Sequence, residues 1–262
     1  MKIIDFHTHI YPPEIAAKAT ESICEFYSLN TEFTGTAESL LARGKEAGIS
    51  EFVLLPVANK PEQVRHINEF IVGEVKKHPE FFGFGTLHAD MEDFNSEIDY
   101  IEASGLKGIK LHPDSQKFPI DDERLFPAYE RLEGRLPVLI HCGDKRFDFS
   151  HPRRLVHVLN EFPKLQVIAA HLGGWSIFEE GYALLKNKNC YFDISSCMAF
   201  IPPKKMVEYI RGYGAERLLF GTDFPLWDPV KEVEAFLSLP LRSDEQEKIA
   251  FHNAEKILGL TK

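Results

Sequence analysis

The chain has 262 residues, 44% hydrophobic and 27% charged, with a net charge of −10 and a pI near 5.6. That length suits one α/β barrel with a substantial core, and the negative balance argues against nucleic acid or an anionic membrane as partner, since both recruit clustered Lys and Arg. Cys24, Cys142, Cys190 and Cys197 form no C-x-x-C pair and read as reduced thiols; with no basic-then-apolar leader and no apolar run of spanning length, the expected location is the cytoplasm.

Taken in order, the first predicted strand is Ile3–Ile10, rich in β-branched and aromatic residues. Strand alternation puts His7 and His9 on one face, about 6–7 Å apart, close enough for two imidazoles to share a metal ion. Two satisfied histidines at a strand end would look the same. The connection 11–34 carries an expected helix around Glu14–Tyr27, an insert over one end of the fold. Thr36-Ala37-Glu38 opens a helix that Gly48 closes, and strand Glu51–Val57 and helix Lys60–Lys77 follow.

Strands are then predicted at Phe81–Leu87, Leu106–His112, Leu136–Cys142, Leu165–Leu172, Cys190–Ser195 and Arg217–Asp223. Helices are predicted from Asp121 or Asp122 to Gly134, over Arg153–Glu161 behind Pro152, and from Pro202-Pro203 to Gly212 or Gly214. A final helix, Asp244–Leu258, occupies the C-terminal segment 244–260. Most strand candidates are near-continuous apolar runs, as in a parallel sheet buried on both faces. The β-then-α units, about 30 residues apart, predict a (β/α)8 TIM barrel in one domain, 1–262, with a doubly wound sheet as the rival.

Barrel enzymes carry their chemistry at the C-terminal strand ends. There the sequence places His7 and His9, Lys110 and His112, His141, His171 and Asp223. Period-two parity pairs Leu139 with His141, Ala169 with His171, Gly221 with Asp223 and Lys110 with His112, so each is expected to point inward. Alone, each is a costly core residue; converging on one mouth, they become one another's partners. Imidazole and carboxylate donors without thiolate suit Zn²⁺, with Mn²⁺ or Fe²⁺ compatible. His7, His9, His141 and Asp223 would hold one ion and leave a position for water, whose pKa falls to about 7 on the metal. Asp223 would orient or deprotonate that water, and His171 would position it or stabilise substrate charge.

The set D-F-H-T-H, G-I-K-L-H-P, V-L-I-H-C-G, A-A-H-L-G-G and L-L-F-G-T-D-F-P resembles the amidohydrolase superfamily. More narrowly it is similar to the amidohydrolase-related branch that includes aminocarboxymuconate-semialdehyde decarboxylase-like enzymes. The resemblance runs from Ile3 to about Pro225 and implies a metal-dependent barrel, with the strand-1 pair at His7 and His9, the strand-5 histidine at His141, the strand-6 histidine at His171 and the strand-8 aspartate at Asp223. TatD-type nucleases share the H-x-H and the last aspartate but differ at G-I-K-L-H-P.

Lys110 has two readings. In binuclear members of the superfamily a carbamylated strand-4 lysine bridges two ions, which would place His141 and His171 on the second. In mononuclear members, which the closer branch implies, His141 joins the first ion and His171 is a catalytic base. A plain Lys110 would be a cation for a substrate carboxylate. His112 beside it, and Arg146 in a loop after strand 5, are candidate substrate-binding residues. Gly173-Gly174 could offer backbone N–H groups to an anion, or simply form a tight turn, and Asp5 is expected to support the site from one layer deeper.

The expected function is metal-dependent hydrolysis of a small-molecule amide, lactone or ester, with Asp223 and His171 moving the proton. The alternative is metal-dependent non-oxidative decarboxylation of an aromatic or dienoic acid. The partner is a small-molecule substrate, with a homodimer as the prior for the assembly.

Overall fold

A computed structural model describes residues 1–260. Its strands are Ile4–Thr8 (β1), Glu51–Leu54 (β2), Phe81–Gly83 (β3), Gly85–Thr86 (β4), Ile109–Leu111 (β5), Val138–Ile140 (β6), Val167–Ala169 (β7), Tyr191–Asp193 (β8) and Leu218–Leu219 (β9). All pair in parallel with their neighbours. The run predicted at Phe81–Leu87 is interrupted at Phe84, so β3 pairs with β2 and β4 with β5. Phe84 N–H donates to Leu54 O at 3.0 Å and carries the stave across the break. The ring closes where Phe6 N–H donates to Phe220 O and Asp223 N–H to His7 O, both at 2.8 Å. The result is an α/β (β/α)8 barrel.

The hydrogen-bonded strands are shorter than the apolar runs that predict them. Cys142, Ala170 and Leu172 are buried yet lie beyond their strands. Apolar composition follows burial, and burial continues into the loops; pairing stops where the chain turns across the mouth.

The helices are Pro13–Tyr27 (α1), Ala37–Glu46 (α2), Val64–Lys77 (α3), Phe94–Ala103 (α4), Pro113–Gln116 (α5), Phe126–Leu132 (α6), Pro152–Glu161 (α7), Phe178–Leu185 (α8), Pro203–Tyr213 (α9), Pro229–Ser238 (α10), Ser243–Glu247 (α11) and Asn253–Ile257 (α12). Local chemistry sets their starts. Proline stands at the head of α1, α7, α9 and α10, where no amide proton is needed. The side chains of Thr36 and Asp93 accept from Ser39 N–H and Ser96 N–H.

Four of these helices, α4, α5, α8 and α10, were not legible in the sequence. In α8 the reason is Gly181, a poor helix former that the packing demands. A Cβ there would lie 2.7 Å from Gly173 O and 2.9 Å from Gly174 Cα. The single helix predicted over 244–260 is instead α11, a π-helical turn Lys248–His252, and α12. In that wide turn Ile249 O accepts from Phe220 N–H at 2.9 Å, tying the C-terminal segment to the last stave.

Two apolar clusters divide the core. Ile4, Phe6, Val53, Phe84, Leu139, Ile168 and Leu219 meet inside the ring, joined by Ala254, Ile257 and Leu258 of the C-terminal segment. Ile109, Leu111, Val138, Ile140, Val167 and Ala169 face outward onto helical residues such as Leu155 and Ile210. This division leaves Lys110, His112 and His141 in phase with the interior but puts Ala169 outside. No described helix is long and apolar enough to cross a membrane.

Candidate metal centre

The structure brings the strand-1 pair and the last aspartate together. His9 Nε2 is 3.2 Å and His7 Nε2 3.6 Å from Asp223 Oδ1. The other nitrogen of each ring is already committed. His9 Nδ1 lies 2.6 Å from Leu55 O and His7 Nδ1 lies 2.9 Å from Asp193 Oδ2. Carbonyl and carboxylate oxygens only accept, so both Nδ1 atoms carry a proton and both Nε2 atoms are left facing Asp223. Nitrogens and a carboxylate gathered in this way hold protons or a metal ion among them, and the arrangement is the one that orients metal-ligating histidines.

β1 loses register with β2 between Asp5 and Thr8, and there the chain passes from packing Phe6 in the interior to presenting His7 to the mouth. Gly221 allows the approach, because a Cβ there would fall 2.7 Å from His7 Cβ. Asp5 is buried beneath and accepts from His7 N–H, Thr222 N–H and Thr222 Oγ at 3.2, 2.9 and 2.6 Å. It thereby pins the loop that leads to Asp223.

Asp223 and His171 do not reach the mouth by strand alternation. Asp223 lies four residues past β9 with φ +62°, and His171 opens a short turn after β7 with φ +56°. Left-handed backbone costs a non-glycine residue on the order of 1 kcal/mol or more, although Asp and His adopt it more readily than most. The parity pairing of Ala169 with His171 is therefore corrected: Ala169 faces outward, and the left-handed turn redirects His171.

His171 is held at its backbone, where N–H donates to Asp193 Oδ1 at 3.1 Å, and at Nδ1, 3.0 Å from Ser195 O. Its Nε2 therefore accepts from His141 Nδ1, 3.1 Å away. That leaves His141 Nε2 as a lone pair, fully buried and without a hydrogen-bond partner among the described residues. His7, His171 and Asp223 each have a donor atom within 4.8 Å of the others, and so do His112, Asp114 and His141. The second trio is poorly shaped for one ion. His112 and His141 stack with centroids 4.1 Å apart and planes 6° from parallel, so their in-plane lone pairs do not converge.

Lys110 is buried, with Nζ 3.3 Å from His7 Nε2. Burial pulls its ammonium down to about 8, against the pull of Asp193 and Asp223. Burial and the Lys110 charge hold His7 down at about 3, so at neutral pH its Nε2 carries no proton and faces the Lys110 ammonium. Burial disfavours the Asp223 carboxylate, but His7, His9 and His171 override it and keep the group ionised well below the usual range.

Several partners escaped the sequence reading. Asp193, at the end of β8, binds His7, His171 and Ser195 at once; a carboxylate in the apolar stretch C-Y-F-D-I-S was its signal. Ser196 hydroxyl donates to Asp223 Oδ2 and in turn accepts from Trp227 Nε1. Tyr27, on α1, sets its hydroxyl 2.6 Å from His112 Nε2. Arg146 is paired with Asp144 through Nε and Nη2, donates to Phe26 O, and lies 4.8 Å from the Phe26 ring centroid, so its charge fastens the end of α1 over the mouth. The amides around Gly173-Gly174 are used internally: Gly173, Gly174 and Trp175 donate to Ala170 O, His171 O and Cys142 O. They form a tight turn and leave no anion cradle.

Behind the centre, Glu232 of α10 is buried with no side-chain partner among the described residues. Burial, then Asp223, Asp5 and Asp228, push its carboxyl up to about 8. An acid with a raised folded pKa stabilises fully below its unfolded value, and that stability is lost as pH rises through the folded one. Glu232→Gln should therefore raise the melting temperature of metal-free protein at pH 8.5 and leave it unchanged near pH 4. The effect is up to a few kcal/mol, at about 1.4 kcal/mol per pKa unit. Equal melting-temperature differences at both pH values would refute the assignment.

The amidohydrolase family model matches residues 4–260. Similar solved structures include an uncharacterised TIM-barrel protein from Bordetella bronchiseptica, at 23% identity over 99% of both chains with a TM-score of 0.82. The 2,6-dihydroxybenzoate decarboxylase from Rhizobium is similar at 16% identity, 99% of both chains and TM-score 0.75. A candidate 2-pyrone-4,6-dicarboxylic acid hydrolase from Pseudomonas putida follows at 19% identity, 99% of this chain and 98% of that one, and TM-score 0.72. At these identities the likeness to the solved structures is one of fold. No curated protein sequence matches.

Proposed function

Because the chain belongs to the amidohydrolase family, we propose that it is a metal-dependent hydrolase of a small-molecule amide, lactone or ester, with one divalent ion, zinc by its donor set, on His7, His9, His141 and Asp223. The observation that carries this reading is the pair of Nε2 atoms turned on Asp223 Oδ1 while Asp193 and Leu55 O hold the opposite ring nitrogens. The unpartnered Nε2 of His141 agrees with it. Bound there, the ion would supply a Lewis acid for a carbonyl oxygen and acidify a water near neutral pH.

The chain's own residues do the rest. Ser196 donates to Asp223 Oδ2 and fixes the carboxylate, so Oδ1 stays turned toward His7 and His9 while the second lone pair of Oδ2 can take a proton from the attacking water. His171 is steadied by Ser195 O and Asp193, and its Nε2, on releasing the His141 N–H, takes up from Asp223 the proton of the attacking water and passes it to the leaving group. Lys110 supplies a buried positive charge for an anionic substrate oxygen. A carbamylated Lys110 would instead recruit a second ion with His141 and His171.

Decarboxylation is a second reading, favoured by the full-length likeness to a decarboxylase fold. In it CO2 departs, and a proton taken up from water at His171 Nε2 is delivered to the carbon that lost it. One experiment separates the two. Protein stripped by chelator and reloaded with zinc is assayed against esters, lactones, amides and carboxylated aromatics, with titratable acid, released amine and CO2 all measured. The hydrolase reading expects new acid or amine, only in reloaded protein. CO2 from carboxylated aromatics alone would transfer the assignment to the lyase, and full activity in stripped protein would end both.

A further inference from the structure

The centre explains His7, His9, His141, His171 and Asp223, but not the phenol that α1 brings over them. Tyr27 sits at the last residue of α1, with its ring centroid 5.0 Å from Trp175 and 6.1 Å from His141. Its hydroxyl has one hydrogen-bond partner among the described residues, His112 Nε2 at 2.6 Å.

The direction of that bond follows from the other side of the imidazole. His112 caps α5, with Nδ1 accepting from Ser115 N–H at 3.3 Å. A nitrogen that accepts has no proton, so the ring proton of His112 is on Nε2 and points at Tyr27 Oη. Tyr27 is thus the acceptor in this pair, and its own hydrogen has no protein oxygen or nitrogen to meet. Burial, then Asp223, Asp114 and Asp144, keep the phenol protonated far above its ordinary range, so that hydrogen is present at any working pH. A donor left free in a mouth lined with carboxylates and aromatic rings is aimed at something the protein does not supply.

We propose that Tyr27 is a substrate-binding residue that donates its O–H to an acceptor oxygen, most favourably a carboxylate, of a small planar molecule in the mouth, with His112 as the positioning residue that fixes the donor's direction. This rests on the reading of the mouth as the substrate site. A planar shape suits the rim, which is aromatic: Trp175 meets Phe200 and Phe200 meets Trp227 edge to face at 6.0 and 5.8 Å. It also reassigns His112 from contacting substrate to setting the polarity of the residue that does.

The chain's two tryptophans are Trp175 and Trp227, both at this mouth, so intrinsic fluorescence reports its occupancy. The test titrates zinc-loaded protein with benzoate, which offers a charged acceptor, and with aniline, a planar ligand that is neutral at pH 7.5. Tyr27→Phe should weaken benzoate about tenfold, as expected for losing a hydrogen bond to a charged group. Its affinity for aniline and its zinc content should stay the same. His112→Phe, which frees the phenol to rotate, should weaken benzoate by a smaller factor. In that background Tyr27→Phe should cost less than threefold, because the pair acts as one unit.

Unchanged benzoate affinity in Tyr27→Phe would overturn the proposal, as would equal losses for benzoate and aniline. Should Tyr27→Phe fail to fold, undiminished benzoate affinity in His112→Phe would overturn it by itself. Absence of any benzoate or aniline response in wild-type protein loaded with zinc would reject the mouth as the substrate site, and Tyr27 with it.

Discussion

Asp193→Asn is expected to lower zinc affinity 10- to 100-fold with almost no change in side-chain volume. The carboxylate faces two ways. Oδ1 accepts from the amides of His171 and Ser195, and an asparagine carbonyl can take over both bonds. Oδ2 meets His7 Nδ1 at 2.9 Å, and there the amide NH2 of asparagine would oppose an N–H with another donor. The imidazole escapes the clash by moving its proton to Nε2, the atom that faces Asp223, and a protonated nitrogen cannot bind a metal. Losses of this size are usual when the partner that orients a metal-ligating histidine is removed. Competition against a chromophoric zinc chelator measures the effect directly. Wild-type affinity in the variant would show that Asp193 does not set the His7 tautomer.

Asp223→Asn should abolish activity, with a fall of about 10³-fold or more, since the change removes both a charged donor and the proposed proton acceptor. It is the one carboxylate against which His7 Nε2 and His9 Nε2 both lie. Zinc should raise the melting temperature of wild-type protein, because a ligand that binds only the folded state stabilises it. That rise should shrink or vanish in the variant. The thermal shift needs no substrate, so it tests the centre even before the reaction is identified. A full zinc-induced shift in Asp223→Asn would remove Asp223 from the centre.

The two variants also separate distance along the chain from distance in space. Asp223 could be singled out in the sequence because it ends an apolar run, L-L-F-G-T-D, at the expected end of a stave. Asp193 ends a similar run, C-Y-F-D, but partners rather than joins the donors, and a partner has no motif of its own. Tyr27 was less legible still. It lies in a helical insert whose sequence shows only amphipathic spacing, and its relation to His112, 85 residues away, exists only in the folded ring. Arg146 illustrates the converse. Its charge in a mouth loop suggested a clamp for substrate, yet Asp144, two residues before it, occupies that charge.

By itself, the sequence determined the barrel and singled out polar residues at the ends of its apolar runs, because both follow from local rules. Buried parallel strands demand continuous apolar runs, and polar residues at their ends survive only where they meet one another. Which lone pairs face the centre was decided by the tertiary structure alone. An imidazole offers a metal whichever nitrogen its other partner leaves free, and those partners (Leu55 O for His9, Asp193 for His7, His171 for His141) come from other staves of the ring. The same holds for His171 and Asp223, which left-handed turns rather than strand alternation deliver to the mouth. A period-two pattern carries no information about a backbone that has left the strand.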